Sequence, residues 1–287
     1  MRKLMTFILS LAALAASAQT NPAYSIFTGD GKDSDYGKML RVLYDADIIF
    51  IGETHNCPIA HWMECEIATD IIKRSPKGLT LGAEMFESDN QLLVDEYTQG
   101  IISSDKFEAE AKLWDNYWTD YASFLYLARE HGLKFVATNV PRRNASFVKD
   151  NGLYALQDLS DDAKSLMAPL PIAFDKTAQD EAMFGFMQMV GGKSAGNSHF
   201  AEAQAIKDAT MAWFIAKNFQ KKFIHLNGNF HSDNKGGIIP YLESYLPGKR
   251  VVTICSVRQD SVKSLDKENQ GRADFIIVAP TSFPMSY

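Results

Sequence analysis

Short, nearly unbroken apolar runs recur along the chain and set its frame. They stand at 47–52 (DIIFIG), 79–86 (LTLGAEMF), 134–140 (KFVATNV), 222–228 (KFIHLNG), 250–257 (RVVTICSV) and 273–279 (ADFIIVA). Runs of this kind, rich in Ile, Val and Phe, predict strands covered on both faces, as in a parallel sheet. Between them, at about 59–74, 119–131, 198–219 and 236–245, the pattern turns helical. This alternation predicts an α/β fold, a mostly parallel central sheet flanked by helices with right-handed crossovers. Residues 88–118 and 142–197 break it, being helical without a strand. They predict insertions that form a smaller helical cap over the sheet edge. The second insertion carries the Met-rich DEAMFGFMQMVGG, and the closing TSFPMSY reads as a loose tail.

The first residues lie outside this pattern. Arg2 and Lys3 precede a short apolar core, Leu4 to Ala16, which closes on Ala16-Ser17-Ala18. That arrangement predicts an export signal, residues 1–18, cleaved after Ala18; the run is too short to span a bilayer. The first cysteine is Cys57, so lipid attachment at the cleavage point is not expected. The mature chain, 19–287, is expected as one α/β domain that is periplasmic, outer-membrane-associated or secreted. Its net charge of −6 and lack of a basic stripe argue against nucleic acid. Cys57, Cys65 and Cys255 are odd in number and lack CxxC spacing, which predicts buried or free thiols rather than a disulfide framework.

Chemistry collects where the predicted strands end, the place where open α/β sheets hold ligands. The first strand runs into Gly52-Glu53-Thr54-His55, and the second carries Glu84. The third gives Asn139-Val140-Pro141-Arg142, and the fourth Asn227-Gly228-Asn229-Phe230-His231 with Asp233 beyond. If these strands are parallel, the side chains converge on one crevice. Glu53 and His55 taken alone also suit a strand-to-helix turn capped by Thr54 or Asn56. A carboxylate inside an apolar run, as Glu84 is, must instead be paired, metal-bound, protonated or at a mouth. His61, His131, His199 and His225 read as packed, helix-end, helix-start and core histidines. Trp114, Tyr117, Trp118 and Tyr121 form an aromatic run that serves either a core or the wall of a flat ligand. Met187 and its Met neighbours read likewise as core or as an adaptable binding surface. P-loop, GxGxxG, GxSxG and HExxH motifs are absent.

In order, FIGETHNCPIAH, LGAEMFESDNQ, LWDNYW, YLAREHGLKFVATNVPR, AQAIKDATMA and GNFHSDNKGG resemble the ChaN-like haem-binding uptake proteins. The resemblance spans about residues 45 to 245. It implies an α/β domain with a small helical part and haem binding linked to iron acquisition, with an outer-membrane haem receptor as a partner. Tyrosine ligation of the iron in that family points to Tyr121, then Tyr117. Arg142 or Arg143 would pair with propionates. A haem sandwiched between two copies of the chain is compatible with this reading, although nothing in the composition requires it. The strand-end pattern also resembles the wider erythromycin-esterase and Tiki/TraB-like group. There the matching residues Glu53, His55, Glu84 and His231 imply hydrolysis, with His55, His231 and Glu84 able to hold a divalent metal. Haem binding is the leading expectation and hydrolysis the alternative.

Overall fold

The computed structural model describes residues 22–174 and 199–287. The expected export signal, the Met-rich segment and Met187 lie outside the described residues. All six expected strands form. They are β3 (Ile48–Glu53), β4 (Leu79–Glu87), β5 (Lys134–Asn139), β6 (Lys222–Gly228), β7 (Val251–Gln259) and β8 (Phe275–Pro280). Two short strands precede them, β1 (Ser25–Thr28) and β2 (Asp33–Ser34). The sheet order is β2-β1-β8-β7-β3-β6-β4-β5, parallel from β8 to β5 and antiparallel only at the β1 and β2 edge.

Strand β3 occupies the interior of the sheet and is buried at every position. Its side chains alternate between two cores, as strand geometry demands. Ile49 and Ile51 join one core, with Met63, Ile67 and Ile71 of α2 (Pro58–Arg74) and Leu43 of α1 (Tyr36–Tyr44). Ile48 and Phe50 join the other core, with Met211, Ala212 and Ile215 of a long helix (Phe200–Asn218) and Leu242 of a later one (Ile238–Tyr245). Helices therefore cover both faces, which explains why the strand sequences show apolar runs rather than alternation.

The first insertion supplies α3 (Gln91–Thr98) and α4 (Ser104–Glu110), joined by Phe107 stacked on Tyr97 at 4.8 Å. A single π-helical turn (Tyr117–Tyr121) then leads into α5 (Ala122–Glu130). The second supplies α6 (Arg142–Asn151) and the short α7 (Asp161–Lys164). The two later helices named above, Phe200–Asn218 and Ile238–Tyr245, are α8 and α9. Three features depart from expectation. Strands β1 and β2 are too short to announce themselves, and α1 went unassigned although Asp35 caps it by accepting from the Lys38 amide at 2.7 Å. The closing segment is not loose: Arg258 donates to the carbonyls of Thr281 and Phe283, and the Ser286 amide donates to Asn56.

His225 sits inside β6, fully buried as expected. Thr138 donates to its Nε2 at 2.8 Å, and its Nδ1–H donates to Asn227 Oδ1 at 3.1 Å. Both ring nitrogens are satisfied in the neutral form, and burial lowers the pKa from 6.5 to about 4. Between those values the unfolded chain binds a proton that the folded chain refuses, so stability must fall as pH drops from about 7 toward 4. The loss attributable to His225 is on the order of 3 kcal/mol across that window. Urea denaturation at pH 7 and pH 5 should show this slope in the native chain and a smaller one in His225→Gln, which does not titrate.

Candidate functional site

Strands β3, β4, β5 and β6 are mutually parallel neighbours, so their carboxyl ends open on the same edge of the sheet. A crevice of about 520 Å³ lies there. It is lined by Glu53, His55, Glu84, Asn139, Arg142 and His231 from the expected set, with Trp114 from the aromatic run. The chain segments that supply them are separated by many tens of residues, and only the parallel register brings them together.

At the end of β3, Glu53 is 2% exposed. Its Oε1 accepts from His55 Nδ1 at 2.6 Å and from the Tyr121 hydroxyl at 2.7 Å. Burial alone would raise the Glu53 pKa, but contacts with His55 and His61 outweigh it and hold the carboxylate ionised. Burial and the adjoining Glu53 charge push the Tyr121 phenol up, so it stays a donor. His55 is disfavoured as a cation by burial, yet the Glu53 hydrogen bond raises its pKa. Its side chain remains 38% exposed and faces the crevice.

A second acid–imidazole set stands opposite. In β4 the register with β5 shifts between Ala83 and Glu87, a strand irregularity of the kind that re-aims side chains. Glu84 lies in that interval; its Oε2 accepts from the Gly228 amide at 2.8 Å, and its Oε1 stands 3.2 Å from His231 Nε2. The other ring nitrogen of His231 donates to Asp208 Oδ1 at 2.5 Å. Burial disfavours the imidazolium, but Glu84 and Asp208 outweigh it and lift His231 to about 10. Gly228 separates the two sets: a Cβ there would stand 2.7 Å from His55 Nε2. Its glycine lets the imidazole lie against the backbone.

Other expected residues fall elsewhere. Tyr121 is 1% exposed, engaged by Glu53, and Tyr117 is buried edge-on to Phe86. Trp118 points to solvent, and only Trp114 takes the wall position, edge-on to His55 at 5.1 Å. Arg143 pairs with Asp89, and Asp233 turns away to Arg272. His199 bonds Glu202 at the start of α8, the local role expected. All three cysteines are free thiols.

Residues 39–242 match the family described as haem-binding uptake, Tiki superfamily, ChaN. The chain belongs to this family. The fold of this ChaN-family chain is shared with ChaN of Campylobacter jejuni, whose structure shows cofacial haem binding. That match has a TM-score of 0.70 at 17% identity and covers 90% of this chain and 98% of the other. A Bacillus cereus protein aligns with a TM-score of 0.47 at 12% identity, covering 85% and 90% of the two chains. An erythromycin esterase mutant in its open conformation aligns with a TM-score of 0.46 at 13% identity, covering 82% and 77%. No curated protein sequence matches.

The structure adds site residues that the strand-end pattern did not disclose. Asp208, Lys207 and Gln204 come from α8, and His61, Glu64 and Asp120 gather behind Glu53. A signal existed for Asp208: it is the lone acid on a helical face of Ala205, Ala209 and Ala212. His61 and Glu64 carry a weaker signal, a spacing of three on α2.

The buried His231–Asp208 pair sets a stability prediction. Removing one partner strands a buried charge, a loss of about 3–5 kcal/mol. Asp208→Ala should show this drop in chemical denaturation, whereas Asp30→Ala, at the exposed Lys32 pair, should leave the transition close to that of the native chain.

Proposed function

We propose that this chain binds haem across the strand-end crevice, as an exported component of iron and haem acquisition. The observation that carries the reading, beside membership of the family, is the composition of one cavity. Apolar Trp114, Val140, Phe200 and Phe230 line it together with the cations Arg142 and Lys207. Its volume falls in the ~300–1,000 Å³ range of cofactor pockets. These residues fit a porphyrin: apolar walls suit its faces, and the cations suit its propionates. When bound, haem supplies the iron centre; the chain's own task is to hold the ring and offer an oxygen or nitrogen ligand.

Tyr154 is our choice for that ligand. At 89% exposure it presents its phenol to solvent, whereas Tyr121 and Tyr117 are enclosed. The amide before it, at Leu153, donates to Glu202, two residues along α8 from Phe200 in the crevice wall. This bond ties the segment that carries Tyr154 to α8. A ligand on the surface also suits a haem shared face to face between two copies, the cofacial binding described for the Campylobacter jejuni protein. Export rests on the leader, and an outer-membrane receptor is the expected exchange partner. In haemin titrations followed at the Soret band, Tyr154→Phe should weaken binding at least tenfold and change the band position. Tyr121→Phe should do neither; the reverse pattern would move the ligand to Tyr121.

A second reading, hydrolysis, is favoured by the two acid–imidazole sets on opposite sides of Gly228. His55, backed by Glu53, is placed to activate a water as a general base, and His231, held protonated between Glu84 and Asp208, to act as an acid or to stabilise developing negative charge. The alternative assignment of a divalent metal to His55, His231 and Glu84 belongs to this reading. Any ester hydrolysis by the purified chain should fall at least a hundredfold in both His55→Ala and His231→Ala. Activity that survives both substitutions rules out this chemistry.

A further inference from the structure

Behind the crevice, on the far side of Glu53, three side chains converge in a way that neither reading above uses. His61 Nδ1 lies 3.1 Å from Glu53 Oε2 and 3.4 Å from Glu64 Oε2. One suitable ligand atom from each of Glu53, His61 and Glu64 falls within 4.8 Å of the others. All three residues are more than nine-tenths buried. The opposite ring nitrogen, Nε2, faces the His55 carbonyl at 3.1 Å and Asp120 Oδ2 at 3.5 Å, both acceptors. Nε2 therefore carries a hydrogen, and Nδ1 is the atom turned to the two carboxylates.

Without an ion, Glu53 and Glu64 outweigh burial and keep a proton on Nδ1, lifting His61 to about 11; that proton serves the arrangement poorly, and a bound ion would take its place. One N–H points along one line, yet two carboxylate oxygens face the nitrogen. Both separations exceed the ~2.7–2.9 Å usual for a charge-assisted N–H···O contact. Glu53 Oε2 and Glu64 Oε1 are buried without a hydrogen-bond partner. Buried carboxylate oxygens are costly in that condition. The spacing instead matches ligands around an ion: two atoms about 2.1 Å from a common centre stand roughly 3.0–3.4 Å apart in octahedral or tetrahedral geometry. An imidazole that offers one nitrogen while its other N–H is fixed by a carbonyl and a carboxylate has the usual surroundings of a metal-binding histidine.

We propose that Glu53, His61 and Glu64 bind a divalent first-row transition ion, Zn²⁺ or Mn²⁺, through one nitrogen and carboxylate oxygens. The N/O donor set excludes a thiolate-seeking ion, and too few oxygens converge for Ca²⁺. The ion does not line the crevice; it holds Glu53 from behind, leaving Oε1 to orient His55 and Tyr121. Its binding is independent of haem.

The test uses the mature chain purified without haem. Elemental analysis should find one Zn²⁺ or Mn²⁺ per chain, and a chelator should lower Tm in a way that the added ion reverses. The rise in Tm should grow with free ion, as for any ligand bound only by the folded state. Glu64→Gln, close in size to the native residue, should weaken binding at least a hundredfold while retaining native circular dichroism. His231→Asn leaves Asp208 and Glu84 without their buried cation; where circular dichroism shows it folded, it should still bind one Zn²⁺ or Mn²⁺ per chain. Should Glu64→Gln fail to fold, Co²⁺ added to the native chain gives the decisive readout: stoichiometric binding must produce a visible d–d band shaped by one nitrogen and several oxygens. A folded native chain that neither retains nor rebinds Zn²⁺ or Mn²⁺ overturns the proposal. So does an ion lost in His231→Asn but kept in Glu64→Gln, which would place it in the crevice.

Discussion

Glu53 ends the interior strand of the sheet with a carboxylate sealed from water, and a charge in that position must be met on every side. Its isolated burial would cost several kcal/mol, a large fraction of the stability of an ordinary domain. The surroundings supply the compensation. His55 and Tyr121 take one oxygen, and His61 stands against the other. Meeting that demand fixes where the loop after β3 runs, where the π turn before α5 delivers Tyr121, and which way α2 leaves the sheet. The arrangement of the crevice floor follows from satisfying one side chain.

The opposite wall repeats the logic with different residues. Glu84 is held by the Gly228 amide and by His231, and His231 is held by Asp208. Two acid–imidazole sets with a glycine between them form a rigid polar floor under an apolar rim. A floor built this way is more than haem retention alone requires, which is why hydrolysis stays attached to the same residues as a second reading. The two readings place different demands on the chain: haem retention would depend on the rim, and hydrolysis on the floor.

The sheet was legible because its interior strands are buried on both faces and so carry short apolar runs, rich in Ile, Val and Phe and too short for a typical helix. The four parallel strand ends then placed Glu53, His55, Glu84, Arg142 and His231 on one edge, and the structure brings these five to the same crevice. What escaped was carried by helices. Asp208 and the His61–Glu64 pair look like ordinary helical polar residues until tertiary packing turns them inward. Tyr121 stands out in the sequence by its aromatic neighbours, whereas its position is explained by a hydrogen bond to a residue 68 places away. Strand β1 and helix α1 are hidden for a different reason: four residues of strand and nine of helix carry too little pattern to stand out.

Haem binding at this crevice is the central claim, and a haemin titration of the mature chain tests it most directly. The account predicts a saturable Soret change that ends at a fixed ratio of haemin to chain. It also predicts a loss of affinity when Arg142 and Lys207 are both replaced by Ala, because the propionates lose their partners. Absence of any saturable change near stoichiometric haemin, in a chain shown to be folded, would contradict it.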